Sequence, residues 1–148
     1  MRKYDTFKKG TLMHTNQQLS HADAMTILDA IRTRADAENA GLAVAVVDPH
    51  GELLAFLRTD GCRLQSITIA QSKAHTAARE GIPSKELGER SRQEGFPMTN
   101  FGNLRFVTWG GGVPVMVDGA VVGAVGVSGL AEHEDIAYAE HGIAALGL

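Results

Sequence analysis

Cysteine is almost absent from this chain of 148 residues, which contains only Cys62. A single cysteine cannot form a disulfide within the chain, so its scarcity excludes a disulfide-stabilised fold and favours a reducing compartment. Long hydrophobic runs are also missing. No stretch approaches the ~20 apolar residues that a membrane-spanning helix needs, and the N-terminal residues lack the apolar core of a signal peptide. The sequence therefore predicts a cytoplasmic protein that does not enter a membrane.

An excess of charge of either sign is missing too. The 14 basic and 17 acidic side chains give a formal net charge of -3. The chain therefore has no excess of basic charge with which to bind nucleic acid or an anionic membrane surface. We therefore expect neither partner. Hydrophobic residues make up 44% of the chain and charged residues 21%, a balance typical of a globular domain.

The order of the predicted elements indicates an α+β domain that follows a tail. Residues 1–18 show no periodicity and are predicted to form an N-terminal tail or arm, whereas residues 19–148 form one domain. Apolar residues at helical spacing predict a helix that is capped by Ser20 and ends near Asn39. A hairpin, one or two helices, three more strands and a final helix follow. Short turns between strands predict a five-stranded antiparallel sheet flanked by helices.

Seven of the 17 glycines lie within Trp109–Gly129. A phosphate-binding loop places its glycines between a strand and a helix N-terminus, whereas here they separate Val-rich runs. We predict a strand over Leu104–Trp109, followed by a two-strand hairpin that turns at Asp118-Gly119. Gly123 and Gly126 inside the second strand predict a close approach, either by the packed C-terminal helix or by a flat ligand.

Three segments resemble signatures of the GlcG/HbpS-like family. They are DPHGELLAFLRTDG (Asp48 to Gly61), AQSKAHTA (Ala70 to Ala77) and GGVPVMVDGAVVGAVGVSG (Gly111 to Gly129), the last followed by the acidic pair Glu134-Asp135. The resemblance covers about Leu19 to Leu146. It implies a profilin-like sandwich around a five-stranded antiparallel sheet, in agreement with the order of elements, and self-association as a homo-oligomer.

The same family includes extracellular haem-binding sensors, the C-terminal domain of PduO-type corrinoid adenosyltransferases and proteins encoded among carbon-source degradation genes. The resemblance therefore implies a small-molecule ligand, with haem or a related tetrapyrrole as the leading candidate. A histidine would be the axial ligand, basic side chains would meet the propionates, and aromatic side chains would contact the macrocycle. The candidate cofactor-binding residues are Arg58, Lys73, His75, Arg79, Phe101 and Trp109.

A second hypothesis is a cytosolic enzyme that acts on a small organic acid in a catabolic pathway. His75 would be a general base, because imidazole titrates near neutral pH. His133 and Glu134 would hold a proton or, together with His75, a divalent metal in a two-His-one-carboxylate site. The spacing does not require these residues to meet, and the alternative is that His133 is an ordinary surface histidine beside acidic capping residues.

Two further observations bear on these hypotheses. Lys73 could bind a ligand carboxylate or instead form a salt bridge with Asp60, an alternative that the sequence leaves open. The absence of an export signal favours the enzyme, and an aromatic content of 5% argues against a deep haem cavity. The resemblance favours haem, and a structural oligomer subunit without a ligand is the third hypothesis.

Overall fold

The computed structural model describes residues 12–148. Part of the expected tail, residues 1–11, therefore lies outside the described residues. In chain order the elements are α1 (His21–Glu38), β1 (Ala43–Val47), β2 (Leu53–Arg58), α2 (Gln65–Glu80), α3 (Ser84–Glu94), a short 3-10 helix (Met98–Phe101), β3 (Gly112–Val117), β4 (Ala120–Ser128) and α4 (Glu132–Ala144).

The strands form one antiparallel sheet in the order β2-β1-β4-β3. The α+β class is confirmed, but the prediction of five strands is wrong: the described residues contain four, because Leu104–Trp109 is not a strand. Its backbone amides bind side chains instead of a sheet edge. The Arg105 amide donates to Asn103 Oδ1 at 2.9 Å, and the Val107 amide donates to Thr76 Oγ1 at 3.0 Å.

Local signals at the first helix and the second hairpin are confirmed. Ser20 caps α1 reciprocally with Asp23: the Asp23 amide donates to Ser20 Oγ at 3.1 Å, and the Ser20 amide donates to Asp23 Oδ2 at 2.9 Å. Asp118 and Gly119 have φ values of 51° and 79°, as a type I′ hairpin turn requires. These short-range interactions fix the start of α1 and the register between β3 and β4.

The sheet is covered on both faces, so the domain has two layers of core. One face packs against α1 and α4 through larger side chains, including Ile27, Ile31, Val44, Val125 and the aromatic Tyr138. The other face packs against α2 through small side chains, including Ala43, Ala45, Ala70, Ala74 and Ala124. The small side chains allow α2 to lie very close to the sheet.

Gly126 shows how close that approach is. A Cβ atom at this position would collide with the Ala70 carbonyl oxygen and lie 2.6 Å from the Ala74 amide nitrogen. The close approach expected at Gly126 is therefore made by α2, and not by the C-terminal helix or a flat ligand, the two alternatives that the sequence left open. No helix within residues 12–148 combines the length and apolar character needed to cross a membrane.

Candidate functional site

A cleft of ≈460 Å³ opens at the end of the sheet where β4 leads into α4. Trp109 lies at its mouth with 62% of its surface exposed, whereas Lys73 and Asp135 are buried at its base. The lining residues come from the start of α2, the segment before β3 and the β4–α4 connection. They are Arg63, Gln65, Ser66, Ile69, Lys73, Trp109, Gly110, Ser128, Gly129, Leu130, Glu132 and Asp135.

Lys73 and Asp135 form a buried ion pair at the base of the cleft. Lys73 Nζ donates to Asp135 Oδ2 at 2.9 Å and to the Val127 carbonyl at 2.8 Å. Asp135 Oδ1 accepts a hydrogen bond from the Leu130 amide at 3.1 Å. Burial raises the pKa of Asp135, and the hydrogen bond and charge of Lys73 oppose that rise. The salt bridge that we considered between Lys73 and Asp60 does not form, because Asp135 is the partner.

An ammonium group has three N–H donors, and two of those on Lys73 are used by Val127 and Asp135. The third has no hydrogen-bond partner among the described residues. Because Lys73 lines the cleft, this donor is available to an oxygen atom of a bound molecule. Asp135 neutralises the ammonium charge, so the base of the cleft combines a hydrogen-bond donor with little net charge.

The rim of the cleft carries an additional carboxylate. Glu132 Oε2 accepts a hydrogen bond from the Gly110 amide at 2.9 Å, and Glu132 Oε1 lies 3.6 Å from Lys85 Nζ. The hydrogen bond from Gly110, followed by the charge of Lys85, lowers the pKa of Glu132. Arg63 also lines the cleft and supplies a guanidinium group that can pair with a ligand carboxylate.

His75 lies in the interior and does not line the cleft. Its side chain has 0% exposure, whereas the sequence predicted a position at a cleft edge. The reason is that the central part of α2 is enclosed, with the sheet on one side and residues 103–107 on the other. Seven consecutive residues of α2, from Ser72 to Ala78, are buried.

Both ring nitrogens of His75 have partners. Nε2 lies 2.9 Å from Asn103 Nδ2, and Nδ1 lies 3.3 Å from the Gly51 carbonyl oxygen. The ring also contacts Phe106 edge-on, with centroids 5.5 Å apart. Burial lowers the pKa of His75. In this arrangement the imidazole has no free nitrogen to offer an iron atom or a substrate proton.

His133 and Glu134 line a different cleft, between α1 and α4, together with Arg34, Glu38 and Tyr138. The structure therefore does not bring His75, His133 and Glu134 together as one catalytic or metal site, because α2 and α1 cover opposite faces of the sheet. Within residues 12–148, no group of three His, Cys, Asp or Glu side chains is arranged to hold a metal ion.

The other predicted cofactor-binding residues separate into two groups. Lys73 and Trp109 line the cleft. Arg58 ends β2 opposite Ala43, at the same end of the sheet. Arg79 and Phe101 lie at the opposite end of α2, near His75: Arg79 Nε donates to the His50 carbonyl at 2.8 Å, and Phe101 stacks on Phe106. Asp135, Arg63 and Glu132 were missed as site residues.

Together these features define an α+β sandwich with a polar cleft over a buried lysine–aspartate pair. Residues 19–144 match the family described as haem degrading protein HbpS-like, and the chain belongs to this family. The resemblance expected from the sequence is thereby confirmed. GlcG of Escherichia coli K12 is 40% identical over 122 residues, which cover 78% of this chain and 85% of GlcG.

Two solved structures share the fold. A double mutant of Streptomyces reticuli HbpS superposes with a TM-score of 0.85 at 31% identity, over 100% of both chains. The PduOC–haem complex superposes with a TM-score of 0.79 at 30% identity, over 86% of this chain and 94% of that one. Haem binding therefore occurs in a relative with the same fold.

Proposed function

We propose that this protein binds haem or a related tetrapyrrole in the cleft between Trp109 and Lys73. The observation that carries the proposal is the combination of an exposed indole at the mouth of the cleft with a buried ammonium donor at its base. The cleft volume of ≈460 Å³ lies within the range of small-molecule sites. The haem complex of the PduOC structure supports haem as the ligand class.

The cleft residues suit a flat molecule that carries acid groups. The indole of Trp109 offers a planar apolar face, on which aromatic rings stack favourably. Arg63 offers a guanidinium that can bind a propionate through two parallel hydrogen bonds, and the free N–H of Lys73 can bind a further oxygen atom. The contacts with Gly110 and Lys85 favour the ionised form of Glu132, which repels a nearby propionate, so we expect the acid groups to lie on the Arg63 side.

The residues fit the macrocycle and its propionates, but they do not supply an axial imidazole. The lining residues of the cleft include no histidine, cysteine or methionine, and both nitrogens of His75 are engaged elsewhere. We therefore expect the affinity to depend mainly on the porphyrin and only weakly on its iron.

Haemin titration followed in the Soret region tests the proposal. We expect saturable binding at about one haemin per chain, weakened about tenfold in Trp109→Ala because aromatic contacts contribute roughly 0.5–1.5 kcal/mol beyond the buried area. Trp109→Phe should retain most of the affinity, and His133→Ala is the matched control that should bind as the wild type does. The absence of a saturable change with the wild type would overturn the proposal.

Metal-free protoporphyrin IX separates contact with the macrocycle from coordination of iron. We expect it to bind within a few-fold of haemin, because the cleft provides no imidazole ligand. Binding of haemin but not of protoporphyrin would show that an iron ligand dominates, and it would contradict the assignment of the ligand to this cleft.

We also propose that the chain self-associates. The self-association implied by the family resemblance supports this proposal, and Leu104, which is 98% exposed, offers an exposed apolar side chain at which to test it. Light scattering should give a multiple of the chain mass. Leu104→Glu should shift the mass towards the monomer, whereas Met25→Glu, on the exposed face of α1, should not. A wild-type monomer at micromolar concentration would contradict this proposal.

A further inference from the structure

Residues 103–107 are attached to α2 by three contacts that centre on His75 and its neighbour. Asn103 Nδ2 lies 2.9 Å from His75 Nε2, and the Val107 amide donates to Thr76 Oγ1 at 3.0 Å. Phe106 packs edge-on against the imidazole. Trp109 and Gly110, which begin two residues beyond Val107, line the cleft. The same helix therefore supplies Lys73 to the base of the cleft and holds the segment that leads into its wall.

The hydrogen bonds around His75 fix its tautomer and its charge. Asn103 Oδ1 already accepts a hydrogen bond from the Arg105 amide at 2.9 Å, so the Asn103 amide nitrogen must face His75. Because that nitrogen only donates, His75 Nε2 must accept, and the ring proton lies on Nδ1, where it donates to the Gly51 carbonyl. The contact requires a neutral imidazole.

Protonation would place two donors face to face. An imidazolium carries an N–H at Nε2, which would point at the Asn103 amide group. Rotating that amide would relieve the conflict only by breaking its hydrogen bond with the Arg105 amide. A buried donor without an acceptor costs far more than a solvated one, so the charged ring and the attached segment cannot both stay in place.

The charged groups near His75 also disfavour an imidazolium. Arg105, from the attached segment, donates to the Gly51 carbonyl at 3.2 Å, which also accepts from His75. Arg79 lies on the same helix, and Glu52 lies on the turn between β1 and β2. Glu52 pairs with Arg105 at 3.2 Å and with Arg79 at 3.8 Å. One carboxylate therefore faces two guanidinium groups, and it is shared between them.

We propose that His75 is an acid-sensitive lock, whose protonation releases residues 103–107 from α2 and loosens the wall of the cleft that contains Trp109. The Trp109 carbonyl accepts a hydrogen bond from Ser84 Oγ at 2.7 Å, so Trp109 stays attached on its C-terminal side. The cleft wall loosens because the support on the N-terminal side of Trp109 is lost. The consequence for a ligand rests on the proposed function, whereas the release itself is measurable without any ligand.

Hydrogen–deuterium exchange of a peptide covering residues 101–108 tests the lock. After correction for the pH dependence of chemical exchange, we expect uptake to be about tenfold faster at pH 5 than at pH 7.5, since protection from one buried hydrogen-bond network is lost. Peptides from α1 should show no such change, which excludes global unfolding. Equal corrected uptake at the two pH values would overturn the proposal.

Two variants should abolish the acid response by different routes. His75→Gln keeps a neutral donor and acceptor but cannot titrate, so its residues 101–108 should exchange equally at both pH values. Asn103→Asp places a carboxylate beside Nε2 that accepts from an imidazolium, so this segment should stay protected at pH 5. A wild-type response in either variant would show that another group causes the release.

Discussion

Lys73 Nζ lies 2.9 Å from Asp135 Oδ2, and the two side chains are only 3% and 4% exposed. This ion pair joins the middle of α2 to the first turn of α4 across the end of β4. It therefore fixes the base of the cleft and the position of the helix that carries Glu132. The third N–H of Lys73 is the group of this pair that the proposed ligand would contact.

Replacing one member of the Lys73–Asp135 pair should lower the free energy of unfolding much more than replacing both members. Lys73→Met leaves the Asp135 carboxylate buried without a counter-ion, a change that costs about 3–5 kcal/mol in comparable pairs. The double variant Lys73→Met/Asp135→Leu replaces the pair with apolar side chains and should recover at least half of that loss. Urea unfolding followed by circular dichroism measures both values.

A double variant that does not recover stability would contradict this prediction. If it is as unstable as the sum of the two single variants, the charges contribute independently and the pair does not act as a unit. The Leu130 amide loses its acceptor when Asp135 is replaced, so complete recovery is not expected.

The close packing of α2 on the sheet predicts a large effect at Gly126. Gly126→Ala drives a methyl group into the backbone of α2 at Ala70 and Ala74, and we expect a loss of at least about 2 kcal/mol in unfolding free energy. Gly142→Ala is the matched control. There the nearest atoms to the new methyl group belong to the Ile31 and Ile27 side chains and not to the backbone, and the higher helix propensity of alanine offsets part of the cost, so we expect a smaller loss. Equal losses would contradict this account of the packing.

Tyr138 predicts a loss of stability at high pH. Burial, together with the hydrogen bond to Glu38, raises the pKa of Tyr138 to about 12, compared with about 10 in an unfolded chain. The folded state therefore holds the phenol proton more tightly. This contribution is complete below about pH 10 and disappears as the pH rises towards 12. Between pH 9 and pH 11 the free energy of unfolding should fall more steeply for the wild type than for Tyr138→Phe. Parallel declines in the two proteins would contradict this contribution from Tyr138.

Features that depend on neighbouring residues could be predicted from the sequence. The Ser20 cap and the Asp118-Gly119 turn need only contacts over a few residues, and the first hairpin needs only two β-rich runs on either side of a turn. Leu104–Trp109 has the composition of a strand, but the Val107 amide is bound by Thr76, which lies 31 residues earlier. Composition alone could not show that this segment would pair with a helix side chain.

Part of the candidate site was also predictable, because some of its residues lie in or beside local sequence motifs. Lys73 and Trp109 stand in or beside the family motifs, and both line the cleft. The separation of His75 from His133 follows from α2 and α1 covering opposite faces of the sheet, which local periodicity does not encode. Asp135 had a visible signal, since it follows Glu134 in the acidic pair, but its lysine partner depends on how α4 packs.

Haemin binding to the double variant Lys73→Met/Asp135→Leu tests the central claim most directly. Circular dichroism first checks that the variant is folded, and His75→Gln serves as the comparison. If the ligand occupies the cleft over Lys73, the double variant should bind about tenfold more weakly, because a charge-assisted hydrogen bond is lost, and His75→Gln should bind as the wild type does. Unchanged binding by the double variant together with lost binding by His75→Gln would contradict the account and would place the ligand at the imidazole.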